Sequence, residues 1–270
     1  MSETSFELIG STAWVHYFRF NARSLSSIPW ARGVFLTDQT REAIASSVQE
    51  FQLGESSEGK HLMSCAKRHA ARTGDRAYVE ALGLFIAEEN RHARDLGRVL
   101  DLAGIPRVGH SWPDTVFRVL RRLAGLELSI VVLVTAEIIA KVYYAALREA
   151  SGSPVLRKLC EQILCDEVRH VHFQTERVAI LRQGRARWHV ALCQGLHRIL
   201  MAGTCLVVWH KHGRAMRKGG WNFVRFWSDT WGEMDEALAR MDPVNYGTAL
   251  AASPAAAEID DARGVVDVRL

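Results

Sequence analysis

Two Glu-x-x-His units, Glu89-Asn-Arg-His92 and Glu167-Val-Arg-His170, carry the chemistry most readable in this chain. Each follows a lone glutamate by about one helical hairpin, Glu58 before the first and Glu137 before the second. Residues three apart on a helix share a face, so the Glu and His of each unit can reach one point. Four carboxylates and two imidazoles converging between helices are the ligand set of a two-metal site inside a four-helix bundle. The neighbours on the same faces are apolar, so these glutamates would be buried. Four ionised carboxylates cannot share a dry core without counter-charge, and a metal-free core of this kind would cost several kcal/mol. Two divalent cations supply the balance. A hard carboxylate site with one histidine per metal suits iron, manganese or a mixed pair rather than structural zinc.

The elements that must position these residues can be traced from the spacing of the apolar positions. From Thr40 to Thr73, Ile44, Val48, Phe51, Glu55, Glu58, Leu62 and Cys65 recur in steps of three and four, which predicts one helix. Gly74 suits its C-terminus and Asp75 the next N-cap. A second helix is expected from about Arg76 to Ala103, with Tyr78, Leu82, Phe85, Glu89, His92, Leu96 and Val99 inward. A third runs roughly from Thr115 to Ala150, with a kink near Gly125 and Glu137 and Tyr144 on its inner face. Ser151-Gly-Ser-Pro154 is a turn in which Ser153 can cap and Pro154 can start the fourth helix, which continues to about Arg182. In each hairpin, at ~1.5 Å per residue, the lone Glu and the Glu-x-x-His both lie roughly 20 Å from the turn, so an antiparallel pair brings them level.

The chain thus reads as all-α. An N-terminal arm covers residues 1–36 and the di-metal bundle 37–183. A helical extension, 184–241, packs on the bundle, with a fifth helix from Arg187 to about His212 and a Trp-rich segment after it. A tail at 242–270, rich in Ala and interrupted by Pro, is expected to be mobile.

With Glu58, Glu89, His92, Glu137, Glu167 and His170 in place, the chain resembles the ferritin-like superfamily of di-iron carboxylate proteins over residues 40–182. The resemblance implies a ferritin-like four-helix bundle with additional N- and C-terminal helices. It implies two iron ions (Fe2+/Fe3+) held by those six residues and O2 as co-substrate. Glu55, one turn before Glu58, stands as an extra or alternative ligand. An acidic residue precedes each motif, and the resemblance implies that Asp166 orients His92 and Glu88 orients His170. No catalytic group beyond the metal ligands is assigned. His61 departs from the family pattern, which places histidines on the second helix of each hairpin, and is read as incidental. His210 and His212 are read as a basic helix end. Tyr143 and Tyr144 are read as core, and Gln174 as a potential hydrogen-bonding group beside the site.

Composition narrows the function. Of 270 residues, 48% are apolar, and 34 basic residues face 30 acidic ones for a net charge of +4. No one-signed stripe marks a nucleic-acid binder, and such a partner is not expected. Neither Leu128–Ala136 nor Ile199–Trp209 reaches the roughly 18 apolar residues of a membrane span, so no membrane is expected. The start lacks the features of a signal peptide. Five cysteines without a Cys-x-x-Cys indicate reduced thiols in a cytoplasmic protein and argue against an attached rubredoxin-type iron centre.

Three functions fit. The first is an O2-dependent oxidase or oxygenase acting on a small, largely apolar organic substrate, with an external electron donor. The second is a ferritin- or rubrerythrin-like iron-oxidising or peroxide-scavenging protein. The third is a tRNA-modifying di-iron hydroxylase. A homodimer is compatible with each.

Overall fold

A computed structural model describes residues 6–56, 59–109 and 125–250. Among these residues there is no strand, and the elements are helices α1 (Ser11–Asn21), α2 (Asp38–Glu55), α3 (Lys60–Thr73), α4 (Arg76–Leu102), α5 (Leu126–Ala150), α6 (Pro154–Arg182), α7 (Arg187–Lys218) and α8 (Phe223–Arg240), with short 3-10 turns at Trp30–Arg32 and Pro243–Ala249.

The punctuation follows the sequence. Gly74 adopts φ 71° and closes α3. The side chain of Asp75 accepts from the Tyr78 N–H to cap α4, and that of Ser153 accepts from Leu156 ahead of Pro154 in α6. Two expectations fail. The third helix starts at Leu126, with Gly125 extended (ψ −179°) ahead of it rather than a kink within it, and the part expected from Thr115 lies outside the described residues. The helix read from Thr40 to Thr73 is two helices, because Ser56 leaves helical geometry (φ −74°, ψ 79°) and Gly59 turns left-handed at φ 58°. Apolar spacing carries through such a break because both pieces bury the same side. The fifth helix also runs past His212 to Lys218.

The bundle core lies between α2–α3, α4, α5 and α6, and α5 packs along α6 most extensively. Tyr78, Leu82, Phe85, Leu96 and Val99 of α4 are buried, as are Ile130, Tyr144 and Leu147 of α5 and Leu156, Cys160 and Ile163 of α6. Helix α1 belongs to this body. Trp14 Nε1 and the backbone N–H groups of Ile9 and Gly10 all donate to the buried Glu176 of α6. Arg177 donates to Ser11 and Asp75 and so ties α1, α4 and α6 together.

Helix α7 lies on α2 and α5. His212, expected at a basic helix end, is buried, and its Nδ1 sits 2.8 Å from Ser47 Oγ. Burial pushes its pKa down to about 4. His197 similarly meets Thr135 of α5 at 2.9 Å. Helices α5 and α7 are each long and apolar enough to cross a membrane, by length and composition alone. The most apolar stretch is 78% buried in α5 and 28% buried in α7. An uninterrupted-run criterion passes over both, because single polar residues break each run. Of the expected tail, Tyr246 and Leu250 pack against Ala179 and Ile180, and residues 251–270 lie outside the described set. All five cysteines are free thiols.

Candidate metal centre

Four helices send carboxylates or imidazoles to one place in the core. Glu89 and His92 come from α4, and Glu167 and His170 from α6. Ligand atoms of these four residues all lie within 4.8 Å of one another. His170 Nδ1 is 2.8 Å from Glu89 Oε1, 3.5 Å from Glu167 Oε2 and 3.8 Å from Glu137 Oε2 of α5. His92 Nδ1 is 3.5 Å from Glu167 Oε1, 3.8 Å from Glu89 Oε1 and 4.0 Å from Glu55 Oε2, at the end of α2. The Glu-x-x-His spacing does what its period promised: each pair lies on one inward helical face.

Of the expected residues, the structure thus gathers Glu89, His92, Glu137, Glu167 and His170. Glu58 lies outside the described residues, in the interval between α2 and α3. Glu55, its alternative, is buried at the cluster and accepts a 2.5 Å hydrogen bond from Tyr144 Oη. Gln174 donates to Glu137 Oε1 at 3.1 Å. His61 stands 3.5 Å from the thiol of Cys65 on α3.

The other nitrogen of each imidazole is held from outside the cluster. His92 Nε2 faces Asp166 Oδ2 at 3.1 Å, and His170 Nε2 faces Glu88 Oε2 at 2.9 Å. The acidic residue before each motif therefore holds the histidine of the other motif. A proton placed on Nε2 leaves the Nδ1 lone pair of each ring turned into the cluster. The two outer carboxylates are themselves bridged. Asn21 of α1 donates to Glu88 Oε1 at 2.6 Å and to Asp166 Oδ1 at 2.7 Å. Arg91 reaches Asp166 Oδ2 at 2.7 Å and Glu88 Oε1 at 3.3 Å. Phe85 closes over His170 edge-on at 4.8 Å.

Sequence reasoning missed three of these groups. Arg91 lay unremarked inside the first motif. Tyr144 had been assigned to packing although it shares a face with Glu137. Nothing in the spacing pointed to Asn21.

The electrostatics are those of too many negative charges in a dry place. Burial, then the charge of Glu89, pushes Glu55 well above the usual carboxylate range. Burial and Glu137 raise Glu89 and, more strongly, Glu167. Against its burial, Glu137 is held down at about 2 by the close approach of Glu167 and of His170, whose Nδ1 lies 3.8 Å away, and by the Gln174 amide that donates to it. His170 rises well above its ordinary value, because Glu89, Glu137 and Glu167 outweigh its burial. Asp166, also against its burial, is held at about 2 by His92 and Arg91.

Glu89 Oε1, both oxygens of Glu167 and Nδ1 of both histidines have no aligned hydrogen-bond partner although they are buried. Buried polar atoms are normally satisfied. Five such atoms facing one another, all of them metal-ligating types, are compatible with a bound cation. No protein-family model, no curated protein and no solved structure matches this chain.

Proposed function

We propose that the chain is a non-haem di-iron oxidoreductase of ferritin-like type, an O2-dependent oxidase or oxygenase acting on a small, largely apolar organic substrate. The observation that carries this reading is the set of orphaned inward atoms on Glu89, His92, Glu167 and His170, gathered within 4.8 Å while the opposite nitrogen of each histidine is held by a carboxylate. A donor set of carboxylates with one imidazole per metal favours iron or manganese.

In this reading His92 and His170 would each ligate one metal, and Glu89, Glu137, Glu167 and Glu55 would hold and bridge the pair. Bound iron would supply two electrons for the activation of O2. The chain's own part is positional and dielectric. Asp166 and Glu88 keep both imidazoles presenting Nδ1 inward, which makes them better ligands. Phe85, Phe18 and the apolar positions around them keep water away from the cluster. The phenol of Tyr144 donates to Glu55 Oε1 across 2.5 Å and so fixes that carboxylate at the edge of the cluster. Helices α7 and α8, which pack on the bundle, are more than a storage protein needs, and they favour an enzyme over the iron-oxidising alternative.

Metal analysis and an absorption spectrum of aerobically purified protein test the reading. Two iron ions per chain are expected, and Glu167→Ala and His170→Ala should each lose metal. Full metal content in both variants overturns the ligand assignment. A large cage on a sizing column would favour storage, and RNA retained in a salt-sensitive way would favour the tRNA-modifying alternative.

A further inference from the structure

Helix α7 does not use all of its apolar surface against the bundle. Its inner side buries Val190, Met201, Cys205 and Met216. Along its outer side run Trp188, Leu192, Leu196, Ile199 and Leu206, at helical spacing and between 54% and 70% exposed. The stripe is ~27 Å long at ~1.5 Å per residue. At its far end it meets α8, where Val224 is 73% exposed. There Leu206, Phe223, Val224 and Trp227 line a shallow apolar depression of about 300 Å³. Single exposed apolar residues are ordinary, but a contiguous apolar surface is not.

Charge decides what can cover it. Helix α7 contains no Asp or Glu. Arg185 and Arg187 stand before the stripe, and His210, Arg214, Arg217 and Lys218 follow it. Neighbouring elements answer the cations before the stripe, Glu127 beside Arg185 and Asp242 beside Arg187, as well as Arg198 within it, beside Asp235, and Arg214 after it, beside Glu42. Arg217 and Lys218 meet no carboxylate among the described residues; Arg217 lies over Trp209, and Lys218 donates to Gln39. A second copy is a poor cover. Stripe against stripe in parallel sets Arg217 and Lys218 against their own counterparts, and in antiparallel sets them against the Arg185 and Arg187 end, whose acids Glu127 and Asp242 are already paired. An anionic lipid surface satisfies both features together. The stripe can sink into the boundary of the acyl chains, Arg217 and Lys218 can meet phosphates, and Trp188 and Trp227 are of the residue type that settles at that boundary.

We propose that α7, with the start of α8, docks the chain flat on a membrane surface containing anionic lipid. Lying in the plane needs no span-length apolar run, so the sequence criterion for spanning does not bear on it. The inference is independent of the metal centre, and its failure would leave that reading untouched.

The test is flotation of the full chain with phosphatidylcholine vesicles, with and without phosphatidylglycerol, beside size exclusion. Wild type should float with the phosphatidylglycerol vesicles at low salt and detach in part at high salt. Leu192→Glu/Ile199→Glu should bind at least about tenfold more weakly, with an unchanged helical circular dichroism spectrum. Arg217→Gln/Lys218→Gln, which leaves the apolar stripe intact, should bind several-fold more weakly and lose part of the salt dependence. The proposal is overturned if wild type floats with neither vesicle, or if both double variants float as well as wild type. It is also overturned if wild type is a dimer that Leu192→Glu/Ile199→Glu dissolves while no form floats, which would make a second copy the cover.

Discussion

Replacing Asn21 with alanine tests whether α1 helps to build the site or only packs beside it. The carboxamide nitrogen donates to Glu88 Oε1 at 2.6 Å and to Asp166 Oδ1 at 2.7 Å, and those carboxylates hold His170 and His92 through their other oxygens. Each hydrogen bond to a charged group contributes about 1.5 kcal/mol net, so two give about 3 kcal/mol. Arg91 remains against both carboxylates at 2.7 and 3.3 Å and recovers part of that. The expected loss is therefore about 2 kcal/mol, a fall in melting temperature of about 4–8 °C for a chain of this size. Loosening the groups that aim the histidines should also weaken metal binding by about tenfold. Calorimetry of the metal-free protein reads the first effect, and competition for iron against a chelator reads the second. A double variant with Arg91→Gln should cost more than the two single changes together, because each donor backs up the other. If Asn21→Ala melts with wild type and holds iron as tightly, α1 has no part in positioning the imidazoles.

Metal-free protein should lose stability as pH rises through neutrality. Glu55, Glu89 and Glu167 have folded pKa values above 4.5, and that of His170 lies above 6.5, so the folded chain binds protons that the unfolded chain releases. Their contribution is complete below the unfolded values and fades as pH climbs through the raised ones. Glu137 and Asp166, each near 2 when folded, act in the opposite sense only below their unfolded values of 4.5 and 3.8. His172, His197 and His212, lowered to about 4 by burial, work the other way and add stability as pH rises toward their unfolded value of 6.5. The melting temperature of metal-free protein should therefore fall with pH above 6.5, and level off or rise with metal, since ligands must be deprotonated to bind; a flat metal-free profile above that pH contradicts the charge crowding. Gly219→Ala would drive a Cβ into the backbone carbonyl of Ala146, where α7 ends against α5. It should cost about 2 kcal/mol in urea unfolding, and an unchanged midpoint would mean that the end of α7 shifts freely.

The positions of Glu89, His92, Glu137, Glu167 and His170 were legible because a helix converts spacing into direction. Three residues along the chain is one face, and two equal hairpins put two faces at one depth. The turns were legible for the same local reason, as at Gly74, Asp75 and Ser153, whose side chains or lack of one suit only a few backbone conformations. The break between α2 and α3 was not legible, because apolar periodicity reports which side is buried and is silent about whether the backbone between two buried stretches remains helical. The same silence left Glu55 and Glu58 as alternatives. The crossed pairing of Asp166 with His92 and Glu88 with His170 could be anticipated only from resemblance.

Sequence by itself determined the donor types, their helical register and the excess of negative charge that asks for cations, all properties of residues close together along the chain. Tertiary structure alone decided that Asn21 bridges Glu88 and Asp166, that Tyr144 reaches Glu55, that His212 is buried against Ser47, and that the outer side of α7 is left uncovered. Each of these depends on how separate helices lie against one another, and no local spacing encodes a contact between segments that only packing brings together.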